Sequence, residues 1–331
     1  TSVSKAMHRL GLLARYRLLL TGTVITNKAI DVFSQYKFLD SRIFGNSFYA
    51  FRNRYFNMVG YGNHTPVLKK SMEQDLMKRI HSIAFRATKA ECLDLPETTD
   101  IIRHIELEPV TLKKYKELVK QSYTELSAGE VTATNILTRL LRLSQLTGGF
   151  IGSDDGGKIE QVSDAKLKAL EDILESSIQE GHKLVVIARF IPEIHAICRM
   201  LEKKDIGYAC IYGATKDRQE QVHRFQYDPD CMVFVGQIAT AGLGITLTAA
   251  STMVFYSLDY SMSNFEQTKA RIHRVGQKNG CTYFYLIAKG TVDSKILTAL
   301  RNKADLAKML IDNYRKGANP FAPEGGESYE Q

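Results

Sequence analysis

At 331 residues the chain is too long for one small hydrophobic core, so at least two domains are expected. Its 44 Lys and Arg against 36 Asp and Glu leave a net charge of +8, which favours a polyanionic partner, nucleic acid first, although many proteins with such a surplus bind nothing anionic. Five scattered cysteines (Cys92, Cys198, Cys210, Cys231 and Cys281), without a CxxC pair or Cys/His cluster, exclude structural zinc and indicate a reducing compartment.

In chain order, LGLLARYRLLL (10–20) is interrupted by Arg15 and Arg17 and reads as a helix end running into a strand, not as a signal segment. RLLLTGT (17–23) has the pattern of a single buried strand. From Ile30 to Leu146 the character is mostly helical, except that IIRHIELE (101–108) alternates like a strand. FGNSFYAFRNRYFNMVGYG (44–62) sets aromatics among arginines that could stack on bases, but a helical core is the favoured reading. KKSMEQDLMKR (69–79) reads as a solvated amphipathic face, and GGFIGSDDGGK (148–158) as a flexible connection. One strand cannot make a sheet, so the N-terminal piece is expected to be the end of a domain that begins outside this chain.

From Ser163 onward the pattern becomes regular. Leu167, Leu170, Leu174 and Ile178 fall on one face of a helix that stops at Gly181. Leu184 to Ile187 read as a central strand, and Pro192 opens a helix with the stripe Ile194, Ile197, Cys198 and Leu201. Strands are expected at 208–213, 231–236, 252–258 and 282–288, with helices near 216–226 and 263–274. A terminal helix over 291–314 carries Ile296, Leu297, Leu300, Leu306 and Leu310, and the tail GANPFAPEGGESYEQ reads as disordered. The expected class is α/β, a doubly wound parallel sheet with a largely helical N-terminal part. No apolar run approaches the roughly 20 residues that span a bilayer, so a soluble protein is expected.

The chemistry concentrates in SNFEQTKARIHRVG (263–276). Ser263 and Glu266 have capping-box spacing, and Gln267, Arg271 and Arg274 follow at i, i+4 and i+7, on one helical face. Two planar guanidiniums and an amide on one face would clamp a phosphate; the alternative is a cationic helix end that complements the macrodipole. Upstream, CMVFVG (231–236) leads into QIATAGLGITLTAA (237–250), where Gly242 and Gly244 would let backbone approach a ligand at the carboxyl end of a strand. No metal site is proposed from the dispersed histidines.

These motifs resemble a known family. ARF (188–190), YGATKDRQEQVHRF (212–225), ATAGLGITLTAA (239–250), QTKARIHRVGQ (267–277) and KGTVDSKIL (289–297) are similar, in order, to the second RecA-like lobe of the Swi/Snf-type ATPases of helicase superfamily two. LLLTGTVITN (18–27) resembles that family's motif III, and FRATKAECLDLPETT (85–99) its inter-lobe linker. The resemblance implies ATP and Mg²⁺ between two lobes, double-stranded DNA as partner, and Arg271 and Arg274 as arginine fingers with Gln267 beside them. Thr21, Gly22 and Thr23 would couple nucleotide state to DNA, while Arg189, Thr246 and Thr248 would hold the DNA backbone. A monomer, cytoplasmic or, in a eukaryote, nuclear, is expected.

By the same resemblance, residues 1–39 end the first lobe, 40–85 form one helical protrusion, 86–100 the linker and 101–109 the first strand of lobe two. Residues 110–160 form a second protrusion and connection, 161–290 the second lobe, 291–316 a C-terminal helix and 317–331 the tail. Departures point to a divergent branch: Val24 where the family has proline, Thr26 beside Asn27, Thr240-Ala241-Gly242 in motif V, Thr246, and Tyr260-Ser261-Met262 for Trp-Asn-Pro. There is no GxxxxGK[ST] loop and no DExH box, so a first lobe upstream is expected to supply them, and the fragment alone to be inactive. A non-catalytic nucleic-acid-binding module of the same fold is the alternative. An unrelated doubly wound nucleotide enzyme would need a GxGxxG after its first strand, which is absent.

Overall fold

Burial of apolar side chains organises the chain into two units, residues 1–92 with one apolar core and residues 93–331 with two, one on each face of a sheet. The computed structural model describes residues 2–21, 29–59, 65–85, 93–128, 131–152, 159–241, 244–302 and 306–322.

In the N-terminal unit, α1 spans Ser2–Leu13, α2 Val32–Leu39, α3 Ser41–Phe44, α4 Phe48–Tyr55 and α5 Glu73–His81. Between α4 and α5, β1 (Phe56–Val59) and β2 (Thr65–Leu68) pair antiparallel, an element that the helical reading of 40–85 missed. The expected strand at 17–23 is not formed in its described part. Residues 17–21 pair with no described strand, and Leu18 and Leu20 stay 75% and 87% exposed. The described part of the aromatic run, residues 44–59, forms a core, as favoured above: Phe51, Tyr55 and Phe56 are buried with Val32, Phe33, Tyr36, Leu76 and Ile80. Phe44 meets Phe51 edge-on at 5.1 Å, and the Tyr55 hydroxyl donates to Asp75 Oδ2 at 2.6 Å. α5 is amphipathic, with Leu76 and Ile80 inward.

The C-terminal unit is built on six parallel strands: β3 (Thr98–Ile105), β6 (Lys183–Ala188), β7 (Gly207–Ile211), β8 (Cys231–Gln237), β9 (Ala250–Phe255) and β10 (Cys281–Ala288). Their spatial order is β3-β10-β9-β6-β8-β7. Period-two alternation explains why the central strands are apolar throughout. Leu184, Val186, Val233, Val235 and Val254 face one layer, which contains α8 (Ala165–Gln179) and α9 (Ile191–Lys203). Val185, Ile187, Phe234, Met253, Phe255 and Tyr285 face the other layer. That layer contains α6 (Pro109–Ala128), α7 (Ala133–Thr147), α10 (Arg218–Tyr227), the short α11 (Ile238–Ala241), α13 (Val292–Arg301) and α14 (Leu306–Arg315). Each such side chain contributes roughly 1.5–3 kcal/mol by leaving water. A short ribbon of β4 (Phe150–Ile151) and β5 (Glu160–Gln161) replaces part of the connection expected at 148–158.

Two further expectations change. The single helix over 291–314 is two, α13 and α14, with Asn302 capping the first. The start of the tail is packed: Phe321 is fully buried, and the Pro320 carbonyl accepts a 2.8 Å bond from Lys295 Nζ. The outward groups of edge strand β7 are occupied, Cys210 N donating to Gln221 Oε1 at 3.1 Å and Tyr212 N to Thr215 Oγ1 at 3.0 Å, which blunts that edge. Among the described residues no helix is long and apolar enough to cross a membrane, and no group of three or more His, Cys, Asp or Glu is placed to hold a metal.

Candidate functional site

The predicted arginines follow α12 (Met262–Lys269), which leads from the carboxyl end of β9 back toward its amino end. The helix starts two residues earlier than the expected capping box: Ser261 Oγ accepts from Asn264 N at 3.2 Å, and Asn264 Nδ2 donates to Asp259 Oδ2 at 2.6 Å. Ser263 Oγ instead accepts from Gln267 Nε2 at 3.0 Å, and Gln267 is exposed. Phe265 holds the helix down against Phe255, ring centroids 5.3 Å apart.

Past Lys269 the chain turns. Arg271 N donates to the Thr268 carbonyl at 3.0 Å and Gln277 N to that of Arg274 at 3.0 Å, and Gly276 takes φ +97, a left-handed conformation suited to glycine. Gln267, Arg271 and Arg274 therefore do not share a helical face. The periodicity fails because Ile272 is drawn fully into the core and the His273 ring nitrogen sits 2.9 Å from the Pro96 carbonyl. The two arginines still converge: Nη1 of Arg271 and Nη1 of Arg274 both donate to the Ile245 carbonyl, at 3.3 and 3.4 Å. Burial, and then the charge of Arg274, hold the Arg271 guanidinium below its ordinary range. Two cations that share one neutral acceptor repel each other, so a phosphate oxygen placed against them would be strongly favoured.

The turn is locked to the loop before β9. Leu247 N donates to the Arg271 carbonyl at 2.9 Å. Gln277, 8% exposed, sends Nε2 to the carbonyls of Ala250 (2.8 Å), Ile272 (3.2 Å) and Thr248 (3.4 Å), while its Oε1 accepts from the amides of Lys278 and Asn279. Gln226 braces the same loop, accepting from Ala249 N at 2.9 Å and donating to Thr248 Oγ1 at 3.4 Å. Thr246 and Thr248 are half-buried. Gly244 is exposed with φ +76, and Gly242 lies outside the described residues. This loop leaves the carboxyl end of β8 and reaches the amino end of β9, and the arginine pair sits at the latter.

Arg189 belongs to a different cluster, at the carboxyl ends of β6, β8 and β9. Its guanidinium lies 3.8 Å from the centroid of the Tyr260 ring and 3.7 Å from Asp259 Oδ1, with the side chain 14% exposed. Its amide donates to Ser257 Oγ at 2.8 Å and to Glu193 Oε2 at 3.2 Å, and Gln237 Nε2 donates to its carbonyl at 3.2 Å. Glu193 is fully buried; Oε2 also accepts from Ser257 Oγ at 2.6 Å and Phe190 N at 3.1 Å. Burial pushes its carboxyl up to about 7, against the opposing effect of these hydrogen bonds. Beside it Lys166 and Asp293 form a buried ion pair, Nζ to Oδ2 2.6 Å. Thr21 is exposed in the N-terminal unit, and Gly22 and Thr23 lie outside the described residues.

Sequence reasoning thus found the arginine pair but missed Gln277, which stands at the end of the quoted motif, and Glu193, whose place three residues after Phe190 and next to Pro192 is a helix-start signal.

Known proteins share this fold. Residues 1–148 match the SNF2-related domain and residues 165–276 the helicase conserved C-terminal domain. A Drosophila pseudoobscura pseudoobscura protein, "DNA repair and recombination protein RAD54-like", is 25% identical over 94% of this chain and 44% of its own length. The Sulfolobus solfataricus SWI2/SNF2 ATPase core, solved in complex with dsDNA, is 26% identical with a TM-score of 0.53, over 96% of this chain and 66% of that one. The same core solved as the ATPase core domain gives a TM-score of 0.55 at 23% identity, covering 96% of this chain and 67% of that one. The chain spans under half the length of the RAD54-like relative. The RecA-like sheet and the two consecutive domain matches together make the chain a member of the SNF2-related, helicase C-terminal domain family.

Proposed function

We propose that the chain provides the second RecA-like lobe of an ATP-dependent double-stranded-DNA translocase. Arg271 and Arg274 meet the γ-phosphate of ATP held by a P-loop lobe that this sequence does not contain. The convergence of both guanidiniums on the Ile245 carbonyl carries this reading, since it presents two like charges at one point. ATP supplies the phosphoryl group. The arginines neutralise charge on the transferring group and hold its orientation, an effect on the order of 10³ or more in rate. Mg²⁺ would be held by the P-loop lobe and the phosphates of the nucleotide, where it would offset their charge. Thr246, Thr248 and Gly244, on the loop braced by Gln226 and Gln277, touch the DNA backbone without reading sequence, and Arg189 shapes the far end of α12 through Asp259 and Tyr260.

ATP hydrolysis by the chain paired with a P-loop lobe, with and without duplex DNA, tests this reading: stimulation by DNA is expected, and its absence contradicts it. Duplex affinity should fall with salt, by about 0.9 in log K per log unit of salt for each phosphate contact. Salt-dependent duplex binding without hydrolysis would assign the non-catalytic module instead.

A further inference from the structure

The N-terminal core uses only part of the aromatic run. α4 turns Phe51 and Tyr55 inward, but its first turn leaves Phe48 and Tyr49 41% and 67% exposed. Phe48 keeps an edge on the core, meeting the Phe33 ring at 5.6 Å between centroids, and Tyr49 lies 6.1 Å from Phe48. Arg52, three residues after Tyr49 on the same helix face, sets its guanidinium 5.1 Å from the centroid of the Tyr49 ring. The tyrosine is thus held at the surface by a cation, not by burial.

The surroundings are cationic. Residues 41–72 include Arg42, Arg52, Arg54, Lys69 and Lys70, and no Asp or Glu. Arg42 pairs with Asp40 and Arg54 with Asp75. The cations linked to the exposed rings instead bond neutral oxygens. Arg52 donates Nε and Nη2 to Asn53 Oδ1, each at 3.3 Å, Lys69 Nζ donates to the Asn53 carbonyl at 2.6 Å, and Lys37 Nζ to the Asn46 carbonyl at 3.0 Å. Lys37 also lies 5.8 Å from the Phe33 ring, which ties it to the other end of the same aromatic row. Phosphates would offset charges that the fold leaves on neutral acceptors, and an exposed ring between them matches the flat face of a base. A duplex keeps its base faces stacked on one another, so only an unpaired strand presents both groups. An acidic peptide would answer the cations alone.

We propose that Phe48, Tyr49, Arg52, Lys69 and Lys37 form a contact for single-stranded DNA, with Tyr49 stacking on a base and the cations meeting phosphates on either side. The inference rests on the reading of the chain as part of a DNA translocase, and it narrows the substrate to duplexes that carry an unpaired segment.

The test is fluorescence anisotropy of the full chain with a labelled oligothymidylate and, separately, with a blunt duplex, across a series of salt concentrations. Tyr49→Ala should weaken oligothymidylate binding by roughly tenfold and leave blunt-duplex binding unchanged, while Tyr49→Phe, which keeps the ring, retains both. Arg52→Gln should lower the salt slope for oligothymidylate by about 0.7. Because Tyr49 is exposed, its variants are expected to melt at the wild-type temperature, which separates a lost contact from a lost fold. Wild-type chain that does not bind oligothymidylate, or Tyr49→Ala that binds it as tightly as the wild type, would overturn the proposal. So would polyglutamate that displaces the oligonucleotide as readily as unlabelled oligothymidylate at equal charge, since the surface would then read charge alone. Failure of the wild type to bind the blunt duplex would count against the translocase reading instead, and Tyr49-dependent binding of oligothymidylate would still support the single-strand contact.

Discussion

Gln277 is the residue on which the arginine turn depends most visibly. Its amide closes bonds to three carbonyls and two amides, so Gln277→Ala is predicted to cost about 1–3 kcal/mol in chemical denaturation. Gln267→Ala, which removes one exposed bond to Ser263, should stay within about 0.5 kcal/mol. Equal losses would contradict the assignment of the two glutamines. Glu193 makes a pH prediction. Its folded value, about 7, lies above the ordinary 4.5, so between these values the folded chain holds a proton that the unfolded chain has released. This group's stabilisation is complete in acid below the ordinary value and is lost as pH rises toward 7, on the order of 3 kcal/mol in all. Glu193→Gln should flatten that slope in a series of urea melts from pH 5 to 8; an unchanged slope would remove Glu193 from the account. Both residues were hidden in the sequence for the same reason. A polar side chain gives no periodic signal, and only the fold shows that it is buried.

Among the elements, the parallel strands were the most legible, because apolar runs covered on both faces occur at few other places in a chain. Their observed bounds lie close to those expected, as with Leu184 to Ile187 inside β6. Helix ends were read less well. α12 begins at a cap two residues before the expected one and stops at Lys269, where tertiary burial of Ile272 overrides a periodicity that would have continued to Arg274. Ser261→Ala should therefore cost about 1 kcal/mol by thermal or chemical unfolding, and Ser263→Ala clearly less. The reverse order would restore the sequence-based cap. The ribbon β1–β2 escaped notice because four-residue strands carry too few alternations to stand out. Phe321 escaped because one aromatic in a Gly- and Pro-rich tail resembles a linker until it is seen filling the core.

For the whole molecule, the net positive charge pointed toward a polyanion and the motif order toward a two-lobe ATPase, and the domain matches agree with that order. What the sequence could not show was the separation of the predicted site residues. Arg271 and Arg274 gather at the amino end of β9, Arg189 at the carboxyl ends, and α12 runs between them with Asp259 at its start. α12 thus joins the two clusters, anchored through Asp259 at one and ending at the arginine turn at the other. The most direct measurement is single-turnover ATP hydrolysis, with saturating duplex DNA, by the chain paired with its P-loop lobe. Arg271→Ala and Arg274→Ala are each predicted to slow it by on the order of 10³ while duplex affinity is retained. Hydrolysis at the wild-type rate in either variant would contradict the assignment of the arginine pair to the phosphate.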